Sequence, residues 1–394
     1  MKNKKKQKKK IIIVLIIGII IVAGIFFLLP SSKESILIQD SNNNYLLINN
    51  KKQIKIKLKE INNIYKINNN YLLYLKDQKL YLYNVKKEKS KEIAKDNPQI
   101  HDFNINNIIY SINNNTYIYN IKKNKTSNLK DINYIEMTKD KKNIVGQNNN
   151  KLIIYNIKNN KEIVKINDVR EYKCNNDSCT DIYYIESNNL KRYHKKVKDL
   201  KENAINILYQ EKNIVIYQNY INGEYSLYYK KGNKNIKLDT SKRAFDKVLI
   251  NKNKVIYQTA GNCIEIKKNG KKRKIIARDI DKLIEVYKNK YLILKNNSLY
   301  LNNKLLDKKV NKDSITIIKN KIYYLKSNDE IYELVKSTAK KSKIINKNVI
   351  DLKSIEDNIY YLGDYNLNYR YGNIYTIKGK NKIAEKVSTI IDNE

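Results

Sequence analysis

The chain has 394 residues and a formal net charge of +40, and 41% of its residues are hydrophobic, which is enough to bury a large core or several repeat units. Ile, Leu, Val and Tyr supply nearly all of that share and Trp is absent, a composition that favours strands over helices. With only two Pro and ten Gly, Asn must supply much of the turn chemistry, because it tolerates left-handed backbone angles.

The positive charge does not indicate a nucleic-acid site. Such a site would concentrate Arg and Lys on one face, whereas here Arg is rare and Lys occurs in nearly every turn. Lys, Asn, Ile and Tyr all have AT-rich codons, so mutational bias explains the lysine content and we expect no nucleic-acid partner. A surface this basic still attracts polyanions such as wall polymers or acidic lipid headgroups, in a salt-dependent manner.

The amino terminus predicts a membrane anchor. Residues 2–10 contain seven lysines, and residues 11–29, IIIVLIIGIIIVAGIFFLL, are nineteen uncharged residues. A helix of this length spans about 28 Å, close to the hydrocarbon thickness of a bilayer, and the run is longer than the core of a cleavable signal peptide. We predict a cytoplasmic basic tail (1–10), a single-pass signal anchor (11–29), a short stalk (30–35) and an extracytoplasmic domain (36–394).

From residue 36 onward one pattern recurs. Residues 71–96, YLLYLKDQKLYLYNVKKEKSKEIAKD, show three short runs of aliphatic and Tyr residues separated by polar and lysine-rich turns. A fourth run, such as INNIYKI (61–67), leads into each next unit. The runs alternate apolar with polar or Tyr positions, which is strand periodicity. The first runs begin near Ile36, Tyr71, Asn107, Asn143, Asp181, Asn213, Lys254, Lys290, Lys321 and Asn358.

Four short antiparallel strands repeated about every 36 residues predict an all-β fold, a β-propeller of short four-stranded blades. Stacking each small sheet between two neighbours around an axis buries both of its faces; a β-solenoid is the structural alternative. About ten units give a closed ring of roughly 7–10 blades, depending on whether units merge, and two smaller rings in tandem remain open. Residues 387–391 are a fourth run without a following unit, so we predict that they complete the first blade and close the ring.

The recurring run pair, as in Ile322-Tyr323-Tyr324 followed by Ile331-Tyr332, resembles the bacterial surface propellers related to the YWTD-type β-propeller of lipoprotein receptors. The similarity covers residues 36–391. The Trp-Thr-Asp part of that motif is absent and the units are shorter. The resemblance implies a binding or scaffolding domain, and it carries over no functional residue.

The remaining chemistry-bearing residues do not indicate an enzyme. His101 and His194 stand apart from any metal-ligand spacing, so we expect solvated or structural roles, and we expect no cofactor or metal. Neither a Gly-x-Ser-x-Gly elbow nor a Gly-rich phosphate loop is present in the sequence. Acidic residues are scattered, although a composite site on a propeller axis would assemble from distant blades. A carbohydrate-active enzyme is therefore the alternative function.

One segment departs from the repeat chemistry. Cys174 and Cys179 bracket a short turn, and in an extracytoplasmic domain their spacing permits a disulfide. With Asp177 and Asp181 this segment is either a binding loop or a long turn pinned by a bridge. Cys263 stands alone in an apparent second run and is predicted to be a packed core thiol.

These observations predict a membrane-anchored surface protein of a low-GC bacterium. Its extracytoplasmic β-propeller is expected to act as a binding or scaffolding module for a protein or an anionic polymer of the cell envelope. Many tyrosines fall in the repeat runs, where we expect them to pack between blades with their hydroxyls reaching a loop or water.

Overall fold

The computed structural model describes residues 35–391, apart from the segments 50–51, 130–131, 329, 339–340, 356–357 and 378–381. The predicted basic tail, the predicted anchor and all but the last residue of the predicted stalk lie outside the described residues. Within the part of the chain that the structure describes, no helix has the length and apolar character needed to cross a membrane.

The described residues form 39 strands and a short 3-10 helix, Lys312–Ser314. Eight sheets have four strands each, and we number them 1 to 8 in chain order. A further sheet, which we call the composite sheet, has seven strands and contains both ends of the described chain. In each four-stranded sheet, strands that are consecutive in the sequence are also neighbours in the sheet.

The composite sheet begins with β1 (Ser35–Asp40), β2 (Tyr45–Asn49) and β3 (Lys52–Ile56). Sheet 1 contains β4 (Asn63–Lys66), β5 (Tyr71–Lys76), β6 (Lys79–Asn84) and β7 (Lys89–Ala94), and sheet 2 contains β8 (Gln99–Phe103), β9 (Asn107–Ile112), β10 (Asn115–Asn120) and β11 (Lys125–Leu129). Sheet 3 contains β12 (Asn133–Met137), β13 (Asn143–Asn148), β14 (Lys151–Asn156) and β15 (Lys161–Ile166), and sheet 4 contains β16 (Glu171–Cys174), β17 (Asp181–Glu186), β18 (Asn189–His194) and β19 (Lys196–Asn203). Sheet 5 contains β20 (Asn206–Glu211), β21 (Ile214–Ile221), β22 (Glu224–Lys231) and β23 (Lys234–Ser241), and sheet 6 contains β24 (Phe245–Asn251), β25 (Lys254–Thr259), β26 (Asn262–Lys267) and β27 (Lys274–Ala277). Sheet 7 contains β28 (Lys282–Tyr287), β29 (Lys290–Lys295), β30 (Ser298–Leu301) and β31 (Lys304–Asp307), and sheet 8 contains β32 (Thr316–Ile318), β33 (Lys321–Asn328), β34 (Ile331–Ser337) and β35 (Ser342–Val349). The composite sheet ends with β36 (Asp351–Ile355), β37 (Asn358–Asn366), β38 (Tyr371–Thr376) and β39 (Lys382–Ile391).

Asparagine supplies many of the tight turns, as predicted. Asn113 and Asn114 have φ of 48° and 65°, and Asn149 and Asn150 have φ of 44° and 62°. Two consecutive residues with positive φ are characteristic of a type I′ turn, whose twist matches that of the flanking strands. The chain therefore forms tight hairpins without a glycine in each turn.

The ten predicted first runs are all strands, namely β1, β5, β9, β13, β17, β21, β25, β29, β33 and β37. The eight runs from β5 to β33 each form the second strand of a separate four-stranded sheet, so the units are neither merged nor degenerate. The strands are antiparallel throughout these sheets, which is the blade pattern predicted from the sequence.

The second strand of a sheet buries its two faces against different neighbouring sheets. In β9, Ile108 and Tyr110 pack with Leu73 of sheet 1, whereas Ile109 packs with Ile144 of sheet 3. Successive side chains of a strand point to opposite faces, so this alternation buries both faces of the sheet. Similar apolar clusters join the other consecutive sheets. Face-to-face packing of small antiparallel sheets in sequence order is the architecture of a β-propeller.

The first strands of neighbouring sheets lie at the axis. Contacts join β8 to β12, β16 to β20, β20 to β24 and β24 to β28. Sheets that radiate from an axis converge at their inner edges, so the fourth strands lie at the rim. Because consecutive strands alternate in direction, loops after first and third strands lie on one face, here called face I. Loops after second and fourth strands lie on the opposite face, here called face II.

Buried tyrosines connect consecutive sheets through carboxylates. In three cases the hydroxyl of a tyrosine on a second strand donates a hydrogen bond to a carboxylate on the fourth strand of the preceding sheet. We call this contact a tyrosine lock. The three pairs are Tyr217–Glu202 at 3.0 Å, Tyr257–Asp239 at 2.6 Å and Tyr324–Asp307 at 2.9 Å. The cations on these carboxylates are Lys230 at 2.8 Å, Arg273 at 2.9 Å and Lys326 at 2.9 Å. The predicted packing of tyrosines between blades is confirmed, but these hydroxyls bind carboxylates instead of a loop or water.

Removing one of these hydroxyls should destabilise the fold. Tyr257 is fully buried, and Tyr257→Phe leaves Asp239 with one donor fewer. Hydrogen bonds to charged groups contribute about 1.5–3 kcal/mol to stability. We therefore expect the free energy of unfolding, measured with urea, to fall by about 2 kcal/mol. Tyr74→Phe is the control, because the Tyr74 hydroxyl donates to the neutral Ser90 hydroxyl and its loss should cost about 1 kcal/mol. Equal losses in the two variants would argue against a special role for the carboxylate.

The two ends of the described chain pair with each other. The first part of β39 pairs with β38 and the last part pairs with β1, where Ile38 lies opposite Ile390. Lys386, between the two parts, has a φ of 51°, which lets the strand change partner. Ile38 also packs in one apolar cluster with Leu362 of β37. The prediction that residues 387–391 pair with the first run of the chain is confirmed. The last part of β39 occupies the position of the first strand next to β1. Because the connection between a first and a second strand lies on face I, β1 begins on face I, at Ser35.

Candidate functional site

A groove of about 770 Å³ opens on face I beside the first strands of sheets 3, 4 and 5. We call it the axial groove, and it lies close to the axis because these first strands form its wall. Its rim includes residues 175–180, the loop after β16, which contains most of the segment that the sequence singled out. Lys139 and Lys212 lie on the loops of the flanking sheets.

The loop 175–180 is pinned at both ends. Cys174 and Cys179 form a disulfide with their Cα atoms 4.7 Å apart. On one side Asn143 Nδ2 of sheet 3 donates to the Ser178 carbonyl oxygen at 2.8 Å. On the other side Asn175 Nδ2 donates to the carbonyl oxygen of Lys212, in sheet 5, at 2.5 Å. The loop therefore links three consecutive sheets on face I.

Asp181 and Asp177 have different environments. Asp181 is 7% exposed, and Arg192 donates to its two carboxylate oxygens at 2.8 and 2.7 Å. Burial alone would raise the pKa of Asp181, but hydrogen bonds from Arg192 and Asn175 outweigh it and lower that pKa. Asp177 is exposed, with its carboxylate 3.5 Å from Lys139 Nζ. Of the two predicted loop carboxylates, Asp181 is held in an internal ion pair and Asp177 faces the axial groove.

Tyrosines of the first strands bind carboxylates of the preceding sheet along the axial wall. Tyr172 donates its hydroxyl hydrogen bond to Glu136 at 2.7 Å, and Tyr134 donates to Asp102 at 3.1 Å. Burial and the neighbouring carboxylate raise the pKa of Tyr172 well above its usual value. These residues were missed in the sequence, where the only signal is an acidic residue and a Tyr together in a fourth run, as in residues 133–137.

A second groove, of about 670 Å³, lies between sheets 2 and 3 on face I. Its lining contains six asparagines and no carboxylate side chain. We call it the lysine groove, after Lys122, Lys123, Lys125, Lys141, Lys142 and Lys158. Lys141 lies 3.2 Å from Asp102, and Lys142 lies 3.7 Å from Asp140. Within the described residues, the other four lysines form no ion pair.

The histidines and the remaining cysteine have structural surroundings. The His101 ring stacks on Tyr134 with centroids 4.9 Å apart, and burial lowers the pKa of His101. His194 Nδ1 lies 3.7 Å from Asp181. Cys263 is a buried free thiol, as predicted, and burial raises its pKa to about 12. Among the residues that the structure describes, no group of three His, Cys, Asp or Glu is arranged to hold a metal ion.

A scan against protein-family models and a search of curated proteins find no match to the chain. Among solved structures, the chain is similar to a eukaryotic initiation factor, at 11% identity and a TM-score of 0.47, over 91% of this chain and 96% of that chain. It is similar to Hsv2 of Kluyveromyces lactis at 14% identity and a TM-score of 0.37, over 71% and 98%. It is also similar to the β-propeller domain of the Trilobed protease from Pyrococcus furiosus, at 12% identity and a TM-score of 0.33, over 89% and 98%. Likeness at this level carries no conclusion about function.

Proposed function

We propose that the chain is a membrane-anchored, extracytoplasmic binding module that takes an anionic polymer of the cell envelope in the lysine groove. The observation that carries the proposal is a groove lined by six lysines and no carboxylate. Four of these lysines, Lys122, Lys123, Lys125 and Lys158, have no ion pair within the described residues. Phosphate or carboxylate groups of a polymer supply the missing anions, and a lysine near an anionic surface contributes about 1 kcal/mol.

The position of the lysine groove supports a ligand close to the membrane. The described chain begins at Ser35 on face I, the face on which the groove opens. With the proposed anchor (11–29) and a stalk of a few residues, face I stands next to the outer leaflet. The proposed scaffold is a single closed ring, because β39 pairs with strands of both the last and the first unit.

Substituting the four unpaired groove lysines with Gln tests the binding proposal. The probe is a poly(glycerol phosphate) chain, and its affinity for the purified full-length protein is measured at low and moderate salt. Each lysine contributes about 1 kcal/mol, and a tenfold change in affinity corresponds to about 1.4 kcal/mol. We therefore expect the variant with all four substitutions to bind the probe at least about tenfold more weakly.

The matched control substitutes four lysines of face II with Gln, so its net charge equals that of the groove variant. These lysines form no ion pair within the described residues, and they are Lys242, Lys308, Lys309 and Lys312. We expect the control to bind nearly as well as the unaltered protein. Equal weakening of the two variants would show that only the overall basic field attracts the polymer, and would contradict a site in the groove.

The proposed topology is tested on intact cells. Protease added outside the cells should remove the β-propeller and leave the membrane-protected amino-terminal segment. Complete protection of the domain would overturn the extracytoplasmic placement.

A further inference from the structure

Sheet 5 contains a lysine and an asparagine directly opposite each other on neighbouring strands. Lys230 of β22 pairs with Asn235 of β23 across their hairpin. Directly opposed residues have their side chains on the same face of a sheet, with Cβ atoms about 4.5–5.5 Å apart. Lys230 is only 7% exposed, and lysines are rarely buried to this degree without a partner.

Glu202 of β19, in the preceding sheet, binds both side chains. Lys230 Nζ lies 2.8 Å from Oε1, and Asn235 Nδ2 lies 2.5 Å from Oε2. The Tyr217 hydroxyl donates to the same Oε2 at 3.0 Å and lies 2.8 Å from Asn235 Nδ2. Asn235 Oδ1 is buried and accepts no hydrogen bond within the described residues. An amine, a carboxamide and a carboxylate are thus held together in a partly buried site, where the Lys230 and Glu202 side chains are 8% and 20% exposed.

We propose that Lys230 and Asn235 form an intramolecular amide cross-link, through attack of the lysine amine on the asparagine carboxamide with loss of ammonia. Lys230 passes a proton to Glu202 along the hydrogen bond that joins them, and the neutral amine attacks Asn235 Cγ. The bond from Nζ to Cγ forms, and the bond from Cγ to Nδ2 breaks. Glu202 relays protons from the attacking to the departing nitrogen, which leaves as ammonium while Glu202 returns to a carboxylate. Nothing is oxidised or reduced, and no co-reactant is needed.

The surroundings favour this attack once Glu202 carries the proton. A half-turn of the Asn235 carboxamide exchanges Oδ1 and Nδ2. When the Glu202 proton moves from Oε1, which faces Lys230, to Oε2, which faces Asn235, the Glu202 O–H and the Tyr217 O–H both donate to Oδ1. Two O–H donors on a carbonyl oxygen polarise it and stabilise the negative charge that develops on attack. Glu202 binds both the amine and the carboxamide, so the two reacting groups belong to one folded site and the reaction is effectively unimolecular. The same half-turn gives two donors to an oxygen that has none in the unreacted arrangement.

The tyrosine lock of sheet 8 provides a matched comparison. Lys326 Nζ lies 2.9 Å from Asp307, and the Tyr324 hydroxyl donates to the same carboxylate at 2.9 Å. Within the described residues no asparagine side chain hydrogen-bonds to Asp307, so this lysine has no carboxamide to attack. The amine, carboxylate and hydroxyl recur there, and we expect no cross-link.

Mass spectrometry of the purified full-length chain tests the proposal. We expect an intact mass one ammonia below that of the disulfide-bonded sequence. Trypsin should release a branched peptide in which residues 213–231 are joined to residues 235–237. Asn222 precedes a glycine, and succinimide formation there also releases ammonia. The mass alone therefore does not separate the two reactions, whereas the branched peptide forms only by the cross-link. A folded chain at the full sequence mass, without this peptide, would overturn the proposal.

Variants assign the roles of the surrounding groups. Glu202→Gln should abolish the branched peptide, and Lys326→Met, at the matched lock, should leave it unchanged. If Glu202→Gln does not fold, Tyr217→Phe is the second variant, because it retains the ring and removes one donor to the carbonyl oxygen. We expect a several-fold smaller cross-linked fraction in Tyr217→Phe after equal times. An unchanged cross-linked fraction in Glu202→Gln or in Tyr217→Phe would contradict the assigned chemistry.

Discussion

Deleting residues 385–394 should destabilise the whole β-propeller. The deletion removes the part of β39 that pairs with β1, including Val387 and Ile390, which are 0% and 4% exposed. Burial of each of these side chains contributes about 1.5–3 kcal/mol, and the strand pairing adds to that. Since domains of ordinary stability unfold at a cost of about 5–15 kcal/mol, most of the stability is lost. Urea unfolding followed by circular dichroism measures the change.

A shorter deletion, of residues 392–394, is the control for this truncation. It keeps every residue that the structure describes as paired with β1, so it should unfold like the full-length protein. If the longer deletion melts like the full-length protein too, the ends of the chain do not hold the array together.

Asp181→Ala should be the most damaging single substitution in the disulfide segment. Arg192 is left with a largely buried guanidinium group, and Asn175 loses an acceptor. Removing one partner of a buried ion pair costs about 3–5 kcal/mol, and because Arg192 keeps a quarter of its side chain exposed we expect about 3 kcal/mol. The double variant Asp181→Leu/Arg192→Met should recover most of this loss, because no unpaired charge remains. A loss below about 1 kcal/mol in Asp181→Ala would contradict the internal role of Asp181.

The contribution of Asp181 should also depend on pH. Its pKa in the folded protein is lowered from 3.8, so the unfolded chain binds the proton more tightly. The stabilisation is therefore fully present above pH 3.8 and is lost as the pH falls through the lowered folded pKa. The stability difference between the unaltered protein and Asp181→Leu/Arg192→Met should change between neutral pH and pH values below this pKa. A difference that is constant with pH would contradict the ion pair.

The sequence was sufficient to predict the repeat and its turns because both depend on local chemistry. Alternation of apolar residues in five-residue runs depends on neighbours in the chain, and so does the left-handed geometry of pairs such as Asn113 and Asn114. The ten first runs could therefore be located without knowledge of their partners. The last strand could also be assigned, because residues 387–391 match the pattern of a fourth run.

The candidate sites could not be predicted in the same way, because their members come from different sheets. Glu202 lies 28 residues before Lys230 and binds it only after two sheets pack. The lysine groove likewise combines turns of two sheets, and its character depends on which lysines, such as Lys141, find a carboxylate. The sequence placed Asp177 and Asp181 in one candidate binding loop. In the structure Arg192, on the next strand, binds Asp181 in an internal ion pair.

A cysteine pair across the closing strands tests the central claim that the ends of the chain meet in one array. Gln39 of β1 lies opposite Thr389 of β39, and directly opposed antiparallel residues have Cα atoms about 4.5–5.5 Å apart, within the range of a disulfide. Under mild oxidation, Gln39→Cys/Thr389→Cys should cross-link rapidly in the folded protein. The control Lys55→Cys/Thr389→Cys places the second cysteine three strand spacings away, about 14 Å, and should not. Cross-linking of the first pair no faster than that of the control would contradict the closure of the β-propeller.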